Sequence, residues 1–160
     1  MNYSYRITKY HAYIEGTSYL TSSPEEWQDY SDVGGRVSLQ EYMRVETQYV
    51  EVVLALIAMA GITSFRKILW KTELLDEDEV PYIEGDLVDG AADAAKAVRH
   101  FLRYGGGKLV ALNGHVEIHF GWDFYLYVVC DVPYTRVIGQ LDTPLNVEAF
   151  RSPYLDDMEN

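Results

Sequence analysis

Cysteine is almost absent from this chain, proline is sparse, and one long stretch carries no positive charge. Of the 160 residues only Cys130 is a cysteine, so an internal disulfide is excluded. A lone cysteine inside an apolar run reads as a small core residue in a reducing compartment. Long hydrophobic runs are missing too. The most apolar stretch, residues 50–62, contains Glu51 and falls short of the ~20 residues a membrane helix needs. The first ten residues have no apolar signal-peptide core. These absences lead us to expect a soluble, cytoplasmic protein with no membrane partner.

Catalytic signatures are also lacking. There is no Gly-x-Ser-x-Gly elbow for a nucleophile, and Cys130 sits among apolar residues rather than beside the basic groups that activate a thiolate. Gly105-Gly106-Gly107 follows a helical pattern and precedes a strand pattern, the reverse of a phosphate-binding order. We expect no enzyme activity and no cofactor.

Negative charge is plentiful. The formal net charge is −12, from 25 acids against 13 bases. Between Thr72 and Ala95 there are nine carboxylates and no Lys or Arg. Such a surface repels nucleic acid, excluding it as a partner, and accelerates encounter with cationic proteins. The acidic loop, residues 73–86, is either a solvated turn or a docking patch. Its carboxylates Asp76, Glu77, Asp78, Glu79, Glu84 and Asp86 lack the spacing of a calcium loop. Fourteen tyrosines accompany the charge. An apolar ring with a polar tip suits either an interface or a half-buried sheet.

Residues 5–10 alternate as a first strand, and a long loop follows, with Trp27, Tyr30 and Val33 placed to pin it to the body. Ser38-Leu-Gln-Glu41 is a capping box. Tyr42, Val45, Tyr49, Val52, Val53, Leu56 and Ala60 then recur at helical spacing until Gly61 ends the run. Residues 64–75 read as a strand. A second helix is expected from about Asp86, with Leu87, Ala91, Ala94, Val98 and Leu102 inward. Asn113-Gly114 between two alternating runs is a strong hairpin signal, setting Val110 opposite Glu117 and Lys108 opposite His119. A further strand, 123–131, completes a three-stranded meander, and an irregular tail wraps the domain from about residue 133. The expected class is α+β: one domain, a mostly antiparallel sheet, and two main helices on one face.

Two groups of residues are candidates for function. Trp122, Asp123, Tyr125 and Tyr127 form an acidic-aromatic run whose alternate members share a strand face, either as stacked rings or as partner anchors. His115, Glu117 and His119 alternate on one strand and include metal-ligating types. Residues four apart on a strand are separated by about 13 Å, however, which is too far for one ion. A polar, solvent-facing strand is the simpler reading, with a metal-binding module or metal-dependent enzyme as the alternative.

The segments at residues 5–10 (YRITKY), 26–34 (EWQDYSDVG), 119–127 (HFGWDFYLY) and 151–154 (RSPY) resemble those of small acidic bacterial immunity proteins of polymorphic toxin systems, of the Rhs and contact-dependent-inhibition kinds. That resemblance implies stoichiometric binding and neutralisation of one cognate toxin domain, possessing a basic surface if it is a nuclease, in the producing cell's cytoplasm. A self-associating structural or regulatory homo-oligomer is the third reading.

Overall fold

A computed structural model describes residues 3–11, 16, 26–70, 82–131 and 139–158. Among these described residues seven strands form one antiparallel sheet: β1 (Tyr3–Thr8), β2 (Ser64–Trp70), β3 (Tyr82–Asp89), β4 (Gly107–Ala111), β5 (Val116–Phe120), β6 (Leu126–Cys130) and β7 (Asn146–Ala149). Their spatial order is β3-β2-β4-β5-β6-β1-β7. Two helices, α1 (Leu39–Ala60) and α2 (Gly90–Tyr104), pack on one face against Ile7, Leu109, Ile118, Leu126 and Val128. The class is α+β, as the alternation and helical periodicity predict. No helix among the described residues is long and apolar enough to cross a membrane.

α1 begins where its cap predicts. Ser38 Oγ accepts the Glu41 N–H at 3.1 Å. The reciprocal half of the capping box is absent, because the Glu41 carboxylate turns to Arg44, at 2.6 Å from its guanidinium. At the other end Gly61 adopts φ 65°, a left-handed conformation that costs glycine little. This lets the buried Ile62 return its N–H to the Ile57 carbonyl at 3.0 Å. A cap contributes about 1 kcal/mol, whereas each fully buried Val or Leu contributes about 1.5–3 kcal/mol. Val52, Val53 and Leu56, all buried, therefore hold α1 in place more than its ends do.

The second helix starts later than the apolar spacing suggests. Residues 82–89 are the edge strand β3, paired antiparallel with β2, and α2 opens at Gly90. Leu87, expected on the helix's inner face, lies on a strand opposite Arg66 and is 59% exposed, while Val88 opposite Phe65 points into the core. The pattern of Leu87, Ala91 and Ala94 fits a helix locally, but pairing with a distant strand overrides it. Asp89 precedes the helix without capping it; its carboxylate accepts the Ser64 hydroxyl at 2.6 Å instead.

The β4–β5 register agrees with the hairpin signal, with Val110 opposite Glu117 and Lys108 opposite His119. The turn itself is looser than a two-residue one. Gly114 takes φ 75° and its N–H reaches the Ala111 carbonyl at 2.8 Å, while Asn113 Oδ1 accepts the His115 N–H at 3.2 Å. The β4-β5-β6 meander forms, but β6 spans only Leu126–Cys130 because residues 123 and 124 turn. The tail is not wholly irregular either. β7 pairs with β1, and Ser152 and Tyr154 continue across the face opposite the helices.

Candidate functional site

At one end of the sheet, the β5–β6 turn, the end of α2 and the 3-10 turn Tyr30–Asp32 enclose a cleft of about 240 Å³. Its wall begins with backbone that resists the preferences of its residues. Asp123 and Phe124 both have positive φ, 57° and 63°. Each such non-glycine residue costs about 1–2 kcal/mol. Burial offsets that cost. Phe124 is 2% exposed and meets Trp27, Tyr42 and Tyr49 edge-on at 5.2, 5.7 and 5.2 Å. The Tyr49 hydroxyl donates to the Phe124 carbonyl and the Tyr10 hydroxyl to the Asp123 carbonyl, each at 2.8 Å. With Phe124 drawn inward, Trp122 is left 64% exposed on the rim. Non-glycine residues held in this region by surrounding structure cluster at functional sites.

Asp123 is half-buried, and its carboxyl is held above the usual range by burial and by the charges of Asp29 and Asp32. Asp29 caps the 3-10 turn, its Oδ1 accepting the Ser31 N–H at 2.7 Å. Arg103 is the cation in the cleft wall, yet its guanidinium is committed to Glu46 at 2.6 Å. Tyr104, the last residue of α2, is 68% exposed beside it. Of the expected anchors, Trp122 and Asp123 therefore meet at this cleft. Asp29 and Tyr104 join them, and no short-range sequence pattern singled out either one.

Tyr125 and Tyr127 require correction. Alternation leaves them either stacked rings or partner anchors on a strand face; both are buried, at 9% and 5% exposure, in a second apolar cluster with Tyr10, against Phe150 and Tyr154, which removes them as exposed anchors. The reason is topological. β6 is an interior strand between β5 and β1, and the C-terminal segment covers its outer face. Asp76, Glu77, Asp78 and Glu79 lie outside the described residues. Glu84 and Asp86 fall on β3 rather than in a loop, with Asp86 exposed.

His115, Glu117 and His119 do not converge on one point. His115 is exposed at the hairpin end, 3.4 Å from Asp131. Glu117 and His119 belong to a buried chain that fastens the tail. Lys108 Nζ and His119 Nε2 both donate to Glu117 Oε2 at 2.8 Å, and His119 Nδ1 meets Ser152 Oγ at 2.8 Å. Because Nε2 donates to a carboxylate, Nδ1 is the acceptor and the Ser152 hydroxyl donates to it. The order Ser–His–Glu is that of a nucleophile relay. Here Ser152 and His119 are fully buried, and Trp70 stacks on Tyr154 at 4.3 Å next to them, so the chain locks the tail onto the sheet. Among the described residues no group of three or more His, Cys, Asp or Glu is placed to hold a metal ion.

This lock is pH-sensitive. Burial lowers the His119 pKa, only partly opposed by Glu117. Burial also pushes Glu117 upward, but the hydrogen bonds from His119 and Lys108 outweigh it and hold the carboxyl at about 2. Both folded pKa values lie below their unfolded ones, so at acid pH the unfolded chain binds more protons. Stability is then full above about pH 6.5, declines as His119 titrates below that, and declines again as the pH falls from 4.5 toward 2. Urea unfolding at pH 8, 6.5 and 5 should show this loss, with a flatter slope in His119→Gln. Equal slopes would remove His119 as the source.

Comparison of the chain with protein-family models, with curated proteins and with solved structures found no match in any of the three.

Proposed function

We propose that this chain is an immunity-type inhibitor that binds a basic toxin domain stoichiometrically in the cytoplasm of the producing cell, acting by occlusion and not by chemistry. The observation that carries this reading is the buttressed turn at residues 122–124. Two left-handed residues are held there by buried aromatic packing, and the outcome is an exposed indole beside a carboxylate with two acidic neighbours. Exposed aromatic anchors next to complementary charge are how compact interfaces obtain a long lifetime. The net charge of −12 supports the same reading by favouring fast capture of a cationic partner.

Because the immunity proteins this chain resembles are encoded beside their toxins, the test is calorimetry and stopped-flow association with the product of the neighbouring gene. A one-to-one complex that weakens as salt rises is expected. Trp122→Ala should cost about 2 kcal/mol, roughly 30-fold in Kd, mostly through faster dissociation. Replacing Asp76, Glu77, Asp78 and Glu79 together by Lys should instead slow association at low salt and leave dissociation nearly unchanged. No complex at micromolar concentrations would overturn the proposal.

A further inference from the structure

We infer that the cleft between α2 and the β5–β6 turn is an anchor pocket for a single arginine side chain presented by the partner protein; the partner itself rests on the function proposed above. Four features of the cleft point to a planar cation. First, the exposed Trp122 on its rim offers an aromatic face on which a guanidinium stacks. Second, two carboxylates line it with unused capacity. Among the described residues, the Asp123 carboxylate has no hydrogen-bond or ion-pair partner, the Tyr10 hydroxyl reaching only its main-chain carbonyl, and Asp29 Oδ2 accepts nothing while Oδ1 caps the turn. Third, α2 ends in the cleft at Tyr104, bringing the partial negative charge of a helix C-terminus. Fourth, the resident cation forms no ion pair with these acids, because Arg103 donates both its Nε and an Nη nitrogen to Glu46 at 2.6 and 2.7 Å.

Size separates a side chain from a cofactor. The cleft holds about 240 Å³, below the ~300–1,000 Å³ of sites for drug-sized ligands. Geometry separates arginine from lysine. Two acceptors and an aromatic plane match a flat fork of five N–H donors, whereas an ammonium would use the charge and leave the plane unmatched. Asp123 also feels Asp29 and Asp32 in a partly desolvated position, and that burden is relieved when a cation enters.

The pocket is tested on the isolated full chain with acetyl-arginine-N-methylamide as probe. The readout is the indole N–H resonance of Trp122, assigned by its loss in Trp122→Phe. A saturable shift with a millimolar dissociation constant is expected. The lysine amide should bind at least 5-fold more weakly, and Asp123→Asn should weaken the arginine probe about 10-fold. Asparagine also tolerates left-handed backbone, so the turn survives that change. A shift no larger than that caused by acetyl-alanine-N-methylamide would overturn the assignment, as would equal binding of the lysine amide. The two readings fail separately. A complex with the neighbouring gene's product, but no response to the arginine probe, removes the pocket and keeps the partner. A specific arginine response with no complex keeps the pocket's chemistry and removes the partner.

Discussion

Replacing Glu46 by alanine is expected to destabilise the protein by about 3 kcal/mol, the lower end of the range for breaking a buried ion pair. Glu46 is fully buried on α1, and its carboxylate accepts from Arg99 at 2.6 Å and from Arg103 at 2.6 and 2.7 Å, both on α2. The two arginines are 36% and 23% exposed. They can recover some hydration when the carboxylate is lost, which places the cost at the low end. Glu46→Gln retains a hydrogen-bond acceptor of similar size and should lose roughly half as much. Urea denaturation at neutral pH would measure both. A loss under 1 kcal/mol for Glu46→Ala would mean that apolar contacts alone join the helices. Because Arg103 also lines the cleft, Glu46→Ala is further expected to free a cation there and weaken the arginine probe.

An effect of similar size is expected at Gly107, for a reason of space. A Cβ built there would lie 2.2 Å from Phe101 Cε1 and 2.4 Å from the Ile68 carbonyl oxygen. Neither neighbour can yield. Phe101 is stacked on Phe120 at 4.7 Å, and Ile68 belongs to a strand paired on both sides. Gly107→Ala should therefore cost about 3 kcal/mol or more, at or beyond the upper end for overpacking. Gly114→Ala, where only the positive φ opposes a side chain, should cost about 1 kcal/mol. Thermal unfolding of the two variants side by side distinguishes a packing cost from a backbone cost. Equal losses would show that β2 and β4 do not approach as closely at this point as described.

The contrast between these glycines illustrates what is legible in a sequence. Gly114 is recognisable from its neighbour Asn113 and the alternating runs on either side, since a turn is a local event. Gly107 looks like one of three glycines in a connector. Its packing role depends on Phe101, six residues away across a helix end, and on Ile68 in another strand. The cleft divides in the same way. Trp122 and Asp123 stand out by residue type alone. Asp29 and Tyr104 reach them only through the fold, and nothing in the alternation of residues 121–127 reveals that the chain reverses at Asp123 and Phe124. Alternation assigns Tyr125 and Tyr127 to one face of a strand but is silent on whether that face is covered.

The sequence by itself determined α1 with both of its ends, the register of the β4–β5 hairpin, the α+β class and the acidic balance. These follow from interactions between residues a few positions apart or from composition, and no distant partner is needed to evaluate them. The tertiary structure alone decided that β1 lies between β6 and β7, that residues 82–89 form a strand beside β2, and that the C-terminal segment seals the second face over Tyr125 and Tyr127. It also decided that Phe124 is drawn inward and Trp122 outward. For residues 82–89 and for the turn at 123–124 the competing local conformations differ by about 1–2 kcal/mol, and burial against a remote segment, at about 1.5–3 kcal/mol per large side chain, settles the choice.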